Sequence, residues 1–237
     1  MKPVAIQVTH DFICPWCWIG HRNLKSALSA DESGRPVEIS YVPFELNPSL
    51  PEAGVNRKEY RTQKFGSWHR SVAMDADVTA SGKKVGLNFD YERVQITPNT
   101  FLAHRLMAFA QGKGDTSKAE ELLNAIFAAY FSRGENIGKV DVLVAVATTV
   151  GFDAQQVRDF LLSDEGSAEV LAKELEAQTE GIRGVPLLRI GEARVHGAQP
   201  ASLLLRILNA EATRLDLSNE PDPPVTECAG GACAIGA

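Results

Sequence analysis

Residues Phe12 to Gly20 read FICPWCWIG, and the fold turns on what surrounds the two cysteines in that stretch. Upstream, VAIQVTH (Val4 to His10) alternates apolar and polar residues and carries branched side chains, the pattern of a half-buried strand. Downstream, Pro15 to Leu28 read as a helix with proline in the first turn, where its missing N–H costs little. RPVEISYVPF then supplies a second strand, Val37 to Val42. Strand, helix and strand in that order predict a right-handed crossover onto a parallel pair. Cys14 falls at the mouth of the helix and Cys17 one turn inside it.

The next hundred residues change character. From about Tyr60 to Phe160 the sequence predicts helices and no strand. Ser117 to Phe131 puts Ala119, Leu122, Leu123, Ile126, Phe127 and Tyr130 on one face. Thr97-Pro98 reads as a cap and first-turn proline opening a helix through Ala110. Val142, Leu143, Val146, Ala147 and Val150 form another face, closed by Gly151. Asp153 and Gln156 resemble a capping box. Strands return only after a helix over Glu165 to Glu180, as GVPLLRI and ARVHG around the turn Gly191-Glu192, a predicted hairpin. Pro200 starts a last helix, to about Arg214. The expected organisation is an α/β unit in two pieces, residues 1–58 and 165–214, interrupted by a helical insertion over 59–164. A tail over 215–237, rich in proline, glycine and small residues, is expected to be mobile.

Composition narrows the function. The chain has 237 residues, 44% hydrophobic and 23% charged, with a formal net charge of −6. These values are ordinary for a soluble globular protein, and the negative charge argues against nucleic acid as a partner. No run of 18 apolar residues is present, which argues against a membrane partner. MKPVAIQVTH carries too short an apolar run for a signal peptide, so a cytoplasmic protein is expected. Structural disulfides are rare in that compartment. Yet all four cysteines stand in close pairs, Cys14 with Cys17 and Cys228 with Cys233.

A thiol attacks as its thiolate. At a helix mouth, unpaired N–H groups and the positive dipole end face Cys14 and stabilise its anion. Cys17 is expected to lie deeper and to stay protonated until a mixed disulfide on Cys14 must be resolved. Two other readings use the same residues: half of a four-thiolate zinc site completed by Cys228 and Cys233, or a structural disulfide. The position of the first pair, after a strand and opening a helix, favours redox chemistry over both.

DFICPWCWIG together with PFELNP, TPNTFLAHRL, GIRGVPLLRI and VHGAQP resembles the DsbA-like thiol–disulfide oxidoreductases of the FrnE type, over Val4 to about Ala212. The resemblance implies a thioredoxin-like fold with an all-helical insertion. It implies Cys14 as nucleophile and Cys17 as resolving thiol, with Pro15, Trp16, Val185 and Pro186 contacting the substrate, and Val185-Pro186 a cis peptide. It implies no cofactor and no metal. Its partners would be substrate proteins bearing disulfides or thiols, with glutathione or a thioredoxin-type protein as reductant, in a setting of oxidative stress. Relatives in the same superfamily, 2-hydroxychromene-2-carboxylate isomerases and kappa-type glutathione transferases, share the layout but typically carry serine where this chain has Cys14.

Of the remaining residues, Asp11 is expected to serve Cys17 as a proton acceptor or to cap the strand, and one of Trp16 and Trp18 to pack in the core. His21 and Ser71 read as surface residues. The Cys-x4-Cys tail resembles a subgroup known from Deinococcus and is expected to act as a redox relay to Cys14-Cys17. Thr213 to Cys228 is fifteen steps, about 50 Å stretched, against a domain radius of gyration of roughly 17–18 Å.

Overall fold

The computed structural model describes residues 2–217. Cys228 and Cys233 lie outside the described residues, as does the expected mobile tail from residue 218 on; its first three residues, 215–217, instead continue the last helix. β1 (Val4–His10) and β2 (Val37–Pro43) pair in parallel, from Val4 opposite Val37 to His10 opposite Pro43. α1 (Pro15–Ser29) joins them. The predicted hairpin is present as β5 (Leu187–Ile190) and β6 (Ala193–His196), turning at Gly191, whose φ of 54° suits a residue without a Cβ. β5 lies antiparallel to β1, giving a four-stranded sheet in the order β2-β1-β5-β6.

Between β2 and the hairpin come α2 (Arg57–Phe65), α3 (Trp68–Lys83), α4 (Phe101–Gly112), α5 (Thr116–Phe131), α6 (Val140–Thr149), α7 (Ala154–Leu162) and α8 (Ser167–Thr179). α9 (Ala201–Leu217) closes the described chain, three residues beyond the expected end at Arg214, and packs on α1. The Asp153 cap is formed, its Oδ1 accepting from the Gln156 N–H at 2.8 Å.

Two expectations in this region are corrected. A short antiparallel rung, β3 (Val55–Asn56) with β4 (Ile96–Thr97), interrupts the helical stretch. Thr97 therefore belongs to a strand and does not open a helix. α4 begins at Phe101, whose N–H is taken by the Asn99 side chain at 2.9 Å.

The helical region does not form a separate core. Phe127 of α5 lies against Phe12 (centroids 5.1 Å apart) and stacks on Trp18 (5.9 Å), and all three are buried in one continuous cluster that also holds Ile6 and Val8 of the sheet. At the outer edge of the sheet, Gln111 of α4 accepts from the Tyr41 N–H at 2.7 Å and donates to the Tyr41 carbonyl at 3.0 Å.

At its other end the sheet meets the root of the tail. Arg35 pairs with Asp216 of α9 and donates to the Lys2 carbonyl at 2.8 Å. β1 runs away from this point towards Cys14. Seven strand residues at about 3.3 Å each, and fifteen helical residues at about 1.5 Å in α1, both put Cys14 roughly 22–25 Å from the tail root.

Candidate active site

β1 ends at His10, and a tight turn leads into α1. The Cys14 N–H donates to the Asp11 carbonyl at 3.0 Å, and the Cys17 N–H to the Cys14 carbonyl at 3.0 Å. Cys14 is the N-cap residue, with extended φ and ψ of −93° and 106°, and Pro15 occupies the first turn. No side chain caps this end; with Pro15 lacking an N–H and the Cys17 N–H taken by the Cys14 carbonyl, the Trp16 N–H is the one the first turn leaves free beside the thiol, together with the positive end of the helix dipole.

Both cysteines are free, Cys14 6% exposed and Cys17 1%. Burial pushes the Cys17 thiol well above its ordinary value, and the neighbouring Cys14 adds to the shift, while the Asp11 amide works against it. The two sulfurs are thereby made unequal: one at the mouth of the helix, the other held protonated beneath it.

The turn before β5 comes back across this pair. Val185-Pro186 is a cis peptide, as the family resemblance implies. The Cys14 thiol donates to the Val185 carbonyl at 3.5 Å. α1 meets this turn at Gly20, where a Cβ would lie 3.3 Å from the Pro186 ring, tighter than an ordinary contact. Cys14, Pro15, Val185 and Pro186 are thus drawn together from positions some 170 residues apart. Trp16 is 41% exposed beside them, whereas Trp18 is buried and donates to Asn124 Oδ1 at 3.1 Å.

Beside Cys14 opens a cavity of about 180 Å³. Ile13, Cys14, Pro15 and Trp16 form one wall and Leu46 and Asn47 of the PFELNP segment another. α2 supplies Arg57, Tyr60, Arg61 and Lys64 across from the thiol. These α2 residues are the main omission of the sequence reading. The available signal was cations at 57, 61 and 64, the spacing of one helix face, within RKEYRTQK.

Behind the pair lies a buried polar cluster. Asp11 is fully buried, accepting the Leu46 N–H at 2.7 Å and the Ile13 N–H at 3.3 Å, so it holds both the turn and the PFELNP segment. His104 Nε2 is 3.7 Å from Asp11 Oδ1, and neither His104 ring nitrogen has a hydrogen-bond partner. The Glu45 N–H donates to Glu174 Oε1 at 3.0 Å. Burial first, and then the Glu174 charge, push the Glu45 carboxyl up to about 7.

That shift has a sign that can be tested. A carboxyl whose native value exceeds its unfolded one holds its proton longer when folded, so its contribution to stability falls as pH rises from about 4.5 through 7. Glu45→Gln is expected to gain stability relative to the parent between pH 5 and pH 8, read by urea denaturation at both values. An unchanged difference would mean that Glu45 titrates normally.

Two surface expectations are corrected. His21 is 1% exposed, with Nε2 3.2 Å from the Tyr41 hydroxyl and burial pulling it down to about 3. Ser71 is fully buried and accepts from Arg61 Nε at 2.6 Å. In each case the polar atom is taken up by a residue distant in sequence. Among the described residues no group of three or more His, Cys, Asp or Glu is placed to hold a metal ion, and no helix is long and apolar enough to cross a membrane.

The model of the DsbA-like thioredoxin domain matches residues 5–209. The chain belongs to that family. As a DsbA-like protein it has the thioredoxin-like α/β fold with a helical insertion, and it is a thiol–disulfide oxidoreductase in general class. The crystal structure of a probable DsbA oxidoreductase from Streptomyces coelicolor is similar to the DsbA-like chain over 99% of its length and 100% of the other's, at 28% identity and a TM-score of 0.81. Protein YwbO of Bacillus subtilis is 28% identical over 210 residues, 88% of this chain and 97% of YwbO. The fold is shared more distantly with the glutathione-bound cytosolic disulfide reductase DsbM of Pseudomonas aeruginosa, at 13% identity over 90% and 98% of the two chains and a TM-score of 0.57.

Proposed function

We propose that this chain reduces or isomerises protein disulfides through Cys14 and Cys17. The observation that carries the reading is the inequality of the two thiols: Cys14 at an uncapped helix N-terminus beside the Val185 carbonyl and an open cavity, Cys17 buried and held protonated. The Cys14 thiolate attacks one sulfur of a substrate disulfide, forming a mixed disulfide and expelling the other sulfur as a thiolate. Cys17 then gives up its proton and attacks the Cys14 sulfur. A Cys14–Cys17 disulfide forms, the second substrate sulfur leaves, and two electrons have passed to the substrate. Asp11, fully buried next to the turn that carries the pair, is the carboxylate we assign to take up the Cys17 proton. Two further thiols, from glutathione or a thioredoxin-type protein, return the enzyme to its dithiol form. Pro15, Trp16, Val185 and Pro186 form the rim against which the substrate lies.

The FrnE-like subgroup and a cytoplasmic, oxidative-stress setting are part of the same reading, supported by the CPWC motif and the Cys228/Cys233 tail. So is a relay from the tail pair. The tail starts at the pole opposite Cys14, roughly 22–25 Å away. From Leu217, Cys228 is eleven steps and Cys233 sixteen, at most about 36 Å and 53 Å of chain at ~3.3 Å each. Cys233 therefore has far more slack for a path around the surface. In a relay, Cys233→Ser slows electron transfer between the pairs more than Cys228→Ser does.

Disulfide mapping by mass spectrometry across glutathione redox buffers tests the reading. Reversible closing of Cys14–Cys17, with mixed disulfides on Cys14, is expected. A pair that fails to respond would refute it, and a double Cys228→Ser, Cys233→Ser protein with unchanged redox equilibrium and turnover would remove the relay alone. The isomerase reading shares the fold with a 2-hydroxychromene-2-carboxylate isomerase, at 17% identity over 91% and 97% of the two chains and a TM-score of 0.62. The complete thiol pair favours disulfide exchange over it.

A further inference from the structure

Arg57 is 3% exposed, its guanidinium lying 4.8 Å from the centre of the Tyr91 ring, and it lines the cavity beside Cys14. Among the described residues only one side-chain hydrogen bond engages it, from Nη2 to Asp75 Oδ2 at 2.7 Å. Arg61, one turn on, uses the other oxygen of the same carboxylate, Asp75 Oδ1, at 3.0 Å. Two guanidinium groups thus share one carboxylate. Lys64, a further turn along, donates only to neutral oxygens, Asn47 Oδ1 at 2.6 Å and the Tyr60 hydroxyl at 3.0 Å. Three cations face one anion on this wall, an excess of two positive charges in a chain whose net charge is −6.

The Arg57 N–H groups that Asp75 does not take remain available to an acceptor in the cavity, and a carboxylate engages a guanidinium with charge-assisted, often bidentate bonds. We infer that this cavity is a carboxylate-binding subsite, held by Arg57, Arg61 and Lys64, that selects disulfide partners carrying an acidic arm close to the reacting sulfur. The inference rests on the proposed role of Cys14 for its purpose, but the charge arrangement stands without it. About 180 Å³ equals roughly six waters at ~30 Å³ each. That is room for a carboxylate and the few atoms leading to it, with Trp16 and Leu46 covering the apolar stem. The arm belongs either to a small tripeptide thiol or to an acidic residue next to a protein cysteine.

S-methylglutathione, which has two carboxylates and no free thiol, separates the subsite from the redox chemistry. Calorimetric titration of the full chain at low salt is expected to show it binding at least tenfold tighter than its diethyl ester. Arg61→Gln with Lys64→Gln is expected to erase that preference, while Lys83→Gln with Lys84→Gln, an equal change of charge at the C-terminal end of α3, keeps it. A second arm compares exchange at Cys14 with a disulfide peptide bearing Glu beside its cysteine and with the Gln form. A preference in that arm alone assigns the acidic arm to protein substrates. Equal behaviour of acid and neutral probes in both arms overturns the subsite, as does loss of the preference in the Lys83/Lys84 variant. Acid preference without any thiol exchange would instead leave the subsite standing and remove the disulfide-exchange reading.

Discussion

Replacing Cys14 with serine is expected to abolish disulfide exchange, and replacing Cys17 with serine to halt it after the first step. The two thiols differ in place: Cys14 borders the cavity and the Val185 carbonyl, whereas Cys17 lies one turn below at 1% exposure with its proton firmly held. A substrate sulfur meets Cys14 first. Without it, the remaining thiol is both out of reach and in the unreactive form, so turnover should fall by at least ~10³-fold, the scale on which loss of a nucleophile acts. Without Cys17, the mixed disulfide on Cys14 has no neighbouring thiol to release it. Incubating Cys17→Ser with a disulfide-bonded protein such as insulin should therefore accumulate a covalent adduct, visible by non-reducing electrophoresis and mapped to Cys14 by mass spectrometry. Adducts forming on Cys17 in the Cys14→Ser protein at the parent's rate would reverse the assignment of roles.

Phe127→Ala is expected to cost about 3–5 kcal/mol of stability, the usual range for deleting a fully buried aromatic ring. Its ring is 0% exposed and joins α5 to the β1–α1 unit through Phe12 and Trp18. Trp18 follows Cys17 directly and also stacks on Phe131, so the gap would open behind the buried thiol. Against a typical total of 5–15 kcal/mol this is a large share. Urea denaturation followed by far-ultraviolet circular dichroism measures it. A loss below about 1 kcal/mol, far short of the range for a buried ring, would mean that the helical insertion does not share a core with the sheet.

The parts legible in the sequence were those whose physics is local. β1, α1, the hairpin and the Asp153 cap each declare themselves within a dozen residues, by alternation, a first-turn proline, a glycine turn or a capping side chain. The two-residue rung of β3 and β4 has no period to detect, and Thr97-Pro98 mimics a helix start because nothing nearby reveals that Asn99 takes the Phe101 N–H. His21 and Ser71 look like surface residues until Tyr41 and Arg61 are brought to them. The site divides the same way. The CPWC spacing singles out Cys14 and Cys17 as candidates, while Arg57, Arg61 and Lys64 go unread because nothing near them in sequence shows that folding sets α2 along the cavity beside Cys14.

The Gln111 amide, which engages both backbone groups of Tyr41, has a bearing on how copies of this protein meet. β2 is an outer strand of the sheet, and an outer strand invites another chain to add to it. One side chain occupies the rung that such a chain would need first, satisfying the donor and the acceptor as a neighbouring strand would. Another strand is thereby kept from pairing at Tyr41, and Gln111→Ala would free that rung as a template for aggregation at the end of β2 nearest the thiols.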